Sequence, residues 1–145
     1  MSTSLRKAER SLAASAGILV FGMIYEHFSH GVYSAAMVYA FLIPFTGCVL
    51  PYALAARREL LSGLQDAGNI ETEAPKLERR RVAAENFWNS GIASLTVGCI
   101  FQGVLEIYGT TNRLIIVYWI AGAVFSALGL FLFRTCHTAS RARRG

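Results

Sequence analysis

Charge is scarce in this chain: Asp, Glu, Lys and Arg make up 16% of its 145 residues, where soluble globular chains carry about 25%. With 54% of residues hydrophobic and a mean hydropathy of +0.41, that deficit excludes a water-soluble domain of this size. Proline is rare too, at three residues, and the lack of any low-complexity tract argues against disorder away from the ends. Cysteine is limited to Cys48, Cys99 and Cys136, without the paired spacing of a disulfide framework or a metal clip. The three are read as small packing residues. No Gly-x-Ser-x-Gly, glycine-rich phosphate loop or His-Glu-x-x-His occurs, and Cys48 and Cys99 have no neighbouring base, so nothing supports an enzyme.

What is present is four long apolar runs, 12–28, 35–56, 86–107 and 114–133, all free of Lys, Arg and Asp. Each approaches the roughly 20 residues that a helix needs to cross a hydrocarbon core of about 30 Å. The expected fold is therefore all-α, one integral-membrane four-helix bundle over residues 1–145. Thirteen of the fourteen cations fall before the first run, between the second and third, or after the fourth, leaving Arg113 alone on the other side. Positively charged loops stay cytoplasmic, so both termini are expected inside a cell membrane. Arg6, Lys7 and Arg10 ahead of an apolar run, with Ser34-Ala35-Ala36 beyond it, also resemble a signal peptide, but the run is longer than the usual apolar segment. The basic charge is explained by topology, which makes anionic lipid head groups the expected partners, at about 1 kcal/mol per well-placed cation. Nucleic acid is not expected as a partner.

The connector 57–84 is the only sizeable loop. Leu60, Leu61 and Leu64 share a face within it, as in an interfacial helix continuing from the second span. Gly68-Asn69 breaks that helix, and the run from Lys76 to Asn86 leads into the third span. Pro44 and Pro51 each delete a backbone hydrogen bond and predict a bend in the second span. Small or polar stripes at helical spacing predict packing seams: Ser15, Gly22, Glu26 and His30 in the first span, Ser90, Ser94, Gly98, Gln102 and Glu106 in the third, and Tyr118, Gly122, Ser126 and Gly129 in the fourth. Gly22–Glu26 also resembles Gly98–Gln102, which fits a parallel duplication of a helical hairpin.

Ionisable residues inside spans are costly, at about 2.5–3.5 kcal/mol at mid-bilayer. Glu26, His27 and Glu106 are the ones present, with His30 just beyond and Gln102 one turn before Glu106. All fall at one level, toward the outer surface. Three readings compete. The first is an interfacial cluster paired with Arg113 or with the hydroxyls of Tyr25, Tyr33 and Tyr108. The second is a cation or metal site, with Glu26 and His30 one helical turn apart as ligands. The third is a proton-coupled transport site, where desolvation raises a carboxyl pKa toward the working pH. His27 and His30 lie on the same turn and cannot hold both faces of a haem, so only paired chains could carry one. No cofactor is assigned. The expected role is a membrane protein acting through helix association, as a homo-oligomer or as the small subunit of a membrane assembly, with Glu26, His27, His30, Gln102 and Glu106 as candidate ligand contacts. A transporter or channel for a cation is the second expectation, and a membrane redox component binding haem or metal between chains is the third.

Overall fold

A computed structural model describes residues 3–29, 31–63 and 75–142. Among these residues the chain is all helix, without strands. In order the elements are α1 (Thr3–Phe28), α2 (Ala35–Tyr39), α3 (Leu42–Pro44), a π-helical turn (Phe45–Val49), α4 (Leu50–Gly63), α5 (Pro75–Ile107) and α6 (Ile115–Ala142). Four stretches are long and apolar enough to cross a bilayer: Thr3–Phe28, Ala35–Arg58, Arg79–Ile107 and Ile115–Cys136. They overlap the four apolar runs, the first and third helices beginning well before the runs expected there. As read from the sequence, the helix starting at Pro75 continues without a break into the third span. At 33 residues and 1.5 Å per residue, α5 is longer than the hydrocarbon core. Leu64 and the Gly68-Asn69 break lie outside the described residues, while α4 runs through Leu60 and Leu61, both exposed.

The second span is the irregular one, and its prolines account for it. Pro51 has no N–H to offer the carbonyl of Gly47 one turn earlier. Trp88 Nε1 on α5 donates to that carbonyl instead, at 2.7 Å. The π-helical turn sits between Pro44 and Pro51, and the helix is also interrupted at Ala40–Phe41. The Phe41 carbonyl beside that interruption accepts from Ser15 Oγ on α1 at 2.8 Å. A neighbouring helix thus supplies a donor at each irregularity, as apolar surroundings require.

The helices pack in chain order: α1 against the second span, the second span against α5, and α5 most extensively against α6. Among the described residues no substantial packing joins α1 to α6. Met37, 1% exposed, stands where three helices meet. A Cβ on Gly22 of α1 would lie 3.1 Å from its carbonyl oxygen, and one on Gly103 of α5 would lie 2.8 Å from its nitrogen. Between α5 and α6 the backbones of Gly91 and Gly122 face each other, each leaving no room for a side chain on the other. Gly129 is likewise closed off by Trp88, and Gly98 by Tyr118.

The seam of α5 therefore differs from the stripe expected from sequence. Gly98 belongs to it, but Ser90 is exposed, and Trp88, Gly91 and Leu95 make the contacts with α6. The seam residues step by three and four, following the 3.6-residue turn, whereas a string of steps of four drifts around the helix. The stripes expected in α1 and α6 do become seams, through Ser15 and Gly22 and through Gly122, Ser126 and Gly129.

Candidate functional site

The ends of α1, α2 and α5 come together at the level that the sequence analysis places outside. α1 ends in a turn where Ser29 N–H donates to Glu26 O at 3.1 Å, and Gly31 takes a φ of +89°. α5 ends in a Schellman arrangement: Thr110 N–H donates to Leu105 O at 3.0 Å and Gly109 N–H to Glu106 O at 3.1 Å. Gly109 there takes φ +65°, a left-handed conformation that glycine adopts without strain. These two ends hold Glu26 and Glu106 on either side of Ser34, which precedes α2.

Ser34 is 1% exposed and joins three elements. Its backbone N–H donates to Glu26 Oε1 at 3.2 Å. Its hydroxyl donates to Glu106 Oε2 at 2.6 Å and accepts from Met37 N–H at 3.2 Å, capping α2. Gln102 Nε2 donates to the other oxygen, Glu106 Oε1, at 3.1 Å. The fold thus brings Glu26, Gln102 and Glu106 into one hydrogen-bonded cluster, with Glu26 half-buried and Glu106 exposed. His27 does not join it; exposed on α1, it meets Phe28 edge-on, with ring centroids 5.5 Å apart. His30 lies outside the described residues. Among the described residues no cation pairs with either carboxylate, and no group of three or more His, Cys, Asp or Glu converges.

Beside the cluster, Tyr25, Phe28, Ser29, Ile107 and Tyr108 line a half-open hollow of about 340 Å³. The side chains of Tyr25 and Tyr108 stand near each other across it. Ser29 Oγ lies 2.7 Å from Glu26 O and 2.6 Å from Val32 O, so its proton is already used on the backbone.

A second polar group sits at the opposite ends of the same helices. Lys7 on α1 forms an ion pair with Glu85 on α5 and stands 5.8 Å from the centre of the Tyr52 ring. Arg81 Nε lies 3.9 Å from the other oxygen of Glu85. Asn89 Oδ1 accepts from Tyr52 Oη at 3.0 Å and from Cys48 Sγ at 3.6 Å. Nearer the Ser34 cluster, Cys99 Sγ donates to Ala36 O at 3.2 Å. Cys48 and Cys99 therefore do more than fill space; both act as weak donors between helices.

Ser34 is the member of the outer cluster that reading for ionisable residues misses. Its signal was a serine directly ahead of an apolar helical run, the position of an N-cap. Comparison with protein-family models, curated proteins and solved structures finds no match for this chain.

Proposed function

We propose that the chain is a polytopic integral membrane protein with both termini cytoplasmic, without catalysis of its own. It works through helix association, as a homo-oligomer or as the small subunit of a membrane assembly. Glu26, Ser34, Gln102 and Glu106 form its ligand contact at the outer face, and the arginine-rich inner face rests on anionic lipid head groups. The observation that carries this reading is the position of Ser34, which holds carboxylates from two different spans through its N–H and its hydroxyl. Like charges brought together repel, and carboxyl groups in a span are costly even near its end. A cationic group arriving from outside relieves both costs.

The test is native electrophoresis of the full chain in mild detergent, after carbonate washing of the membranes. The expected result is retention in the membrane and a particle heavier than one chain. The Glu26→Gln/Glu106→Gln double variant is expected to remain in the membrane, folded, with an altered set of co-purifying molecules. A strictly monomeric protein, or one whose companions are the same with and without the two carboxylates, would overturn the reading.

Cation movement through the bundle is a second reading, favoured by one feature. Polar side chains of α5, namely Glu85, Asn89, Cys99 and Glu106, all engage α1 or the second span along a single seam. In proteoliposomes, uptake of a monovalent cation should then be lost in Glu26→Gln, and unchanged flux removes Glu26 from any transport path.

A further inference from the structure

We infer that the hollow at the outer ends of α1 and α5 binds a methylated ammonium group, carried by a free solute or by a lipid head group. This deepens the ligand-contact reading above and rests on it. The hollow's volume of about 340 Å³ falls within the range of roughly 300–1,000 Å³ typical of small-ligand sites. Three of its five lining residues, Tyr25, Phe28 and Tyr108, are aromatic, and ring faces attract cations through their quadrupole, most characteristically quaternary ammonium groups. Glu26 follows Tyr25 in the chain and Glu106 precedes Ile107, so the helix ends that build the wall also carry two carboxylates.

The hydrogen bonds narrow the ligand class further. Ser29 gives its proton to backbone carbonyls, and Glu106 accepts from Ser34 and Gln102. A primary ammonium needs three acceptors for its N–H groups, and a metal ion needs several ligands that converge. The metal's requirement is not met among the described residues, where no ligating trio exists, and three aromatic side chains in a wall of five favour a cation without N–H groups. A methylated ammonium has no N–H to satisfy. It asks only for aromatic side chains, methyl-sized space and negative charge in the neighbourhood; the hollow offers the first two, and the same helix ends carry Glu26 and Glu106.

The full chain reconstituted in nanodiscs of phosphatidylglycerol, titrated calorimetrically with tetramethylammonium chloride against sodium chloride at matched ionic strength, tests the proposal. Saturable binding of tetramethylammonium alone is expected. Tyr25→Ala and Tyr108→Ala should each weaken it by about tenfold, in keeping with the strength of a desolvated cation–π contact, while Tyr25→Phe, which keeps the ring, should retain most of it. Addition of phosphatidylcholine to the disc separates the sources: loss of apparent affinity identifies the lipid head group as the natural occupant, and unchanged affinity a free solute. Absence of binding above the sodium control, or binding that survives both alanine variants, would overturn the assignment. If the hollow fails this test while Glu26→Gln/Glu106→Gln still alters what co-purifies, the ammonium class is lost and the outer ligand contact stands.

Discussion

One small side chain, Ser34, fixes the relation of three helices. Its hydroxyl gives its proton to Glu106 and takes one from the Met37 amide, while its own amide goes to Glu26. Ser34→Ala removes both hydroxyl bonds and keeps the third. Loss of the cap costs about 1 kcal/mol, and the Glu106 carboxylate, being exposed, can take water in place of the hydroxyl and adds little. The variant should therefore be destabilised in detergent by about 1 kcal/mol, and Ser34→Thr should recover part of the loss. Equal stability of Ser34→Ala and the parent would mean that the hydroxyl does not hold the cluster. Glu26, Gln102 and Glu106 were legible beforehand because polar groups stand out in an apolar run. Ser34 was not, since serine beside a span reads equally as a loop residue, and only the fold shows that a hairpin tucks it between two carboxylates.

At the scale of the helix, two glycines of equal composition have opposite roles. Gly103 faces Met37, and a Cβ there would come within 2.8 Å of the Met37 backbone nitrogen, a clash that no side-chain rotation relieves. Gly103→Ala should cost about 1–3 kcal/mol, as overpacking does. Gly17 on α1 has nothing within 4 Å of such an atom, so Gly17→Ala should be neutral or stabilise by up to about 1 kcal/mol through helix propensity. Chemical denaturation of the two variants side by side checks the contrast, and similar effects would mean that α1, α2 and α5 do not meet at Met37. The irregular second span carries its own expectation. Trp88→Phe keeps the backbone and Cβ that close off Gly129 but removes the indole donor to Gly47 O, leaving that carbonyl short of a partner. Amide exchange around the π-helical turn should then rise. Pro44 and Pro51 announced a bend, but not that the compensating donor would come from α5, because partners across helices have no fixed sequence spacing.

For the whole molecule, the decisive property is the asymmetry of its surface along the helix axes. The spans are mostly uncovered by protein: 11% of the apolar windows of α1 and α6 is buried, and 33% of that of α5. Met23, Ile24, Ile116, Val117, Ile120 and Phe131 are all more than half exposed, a surface for which water is a poor solvent and hydrocarbon a good one. Four apolar runs made this much readable from sequence, since each is long, uncharged and bounded by polar residues. The packing order is different: nothing in composition or period says that α1 and α6 stay apart, because all four faces are apolar. The direction of threading rests on cations alone, with Arg57, Arg58, Arg79, Arg80 and Arg81 at one end and Arg113 at the other. In a background with Cys48→Ala, Cys99→Ala and Cys136→Ser, single Thr111→Cys and Leu61→Cys variants report the two ends, both at exposed positions. A membrane-impermeant maleimide applied to intact cells should label Thr111→Cys, and should label Leu61→Cys only after permeabilisation. The reverse pattern would turn the molecule over, placing the carboxylate cluster and its aromatic hollow on the cytoplasmic side, where the ligand would have to come from within the cell.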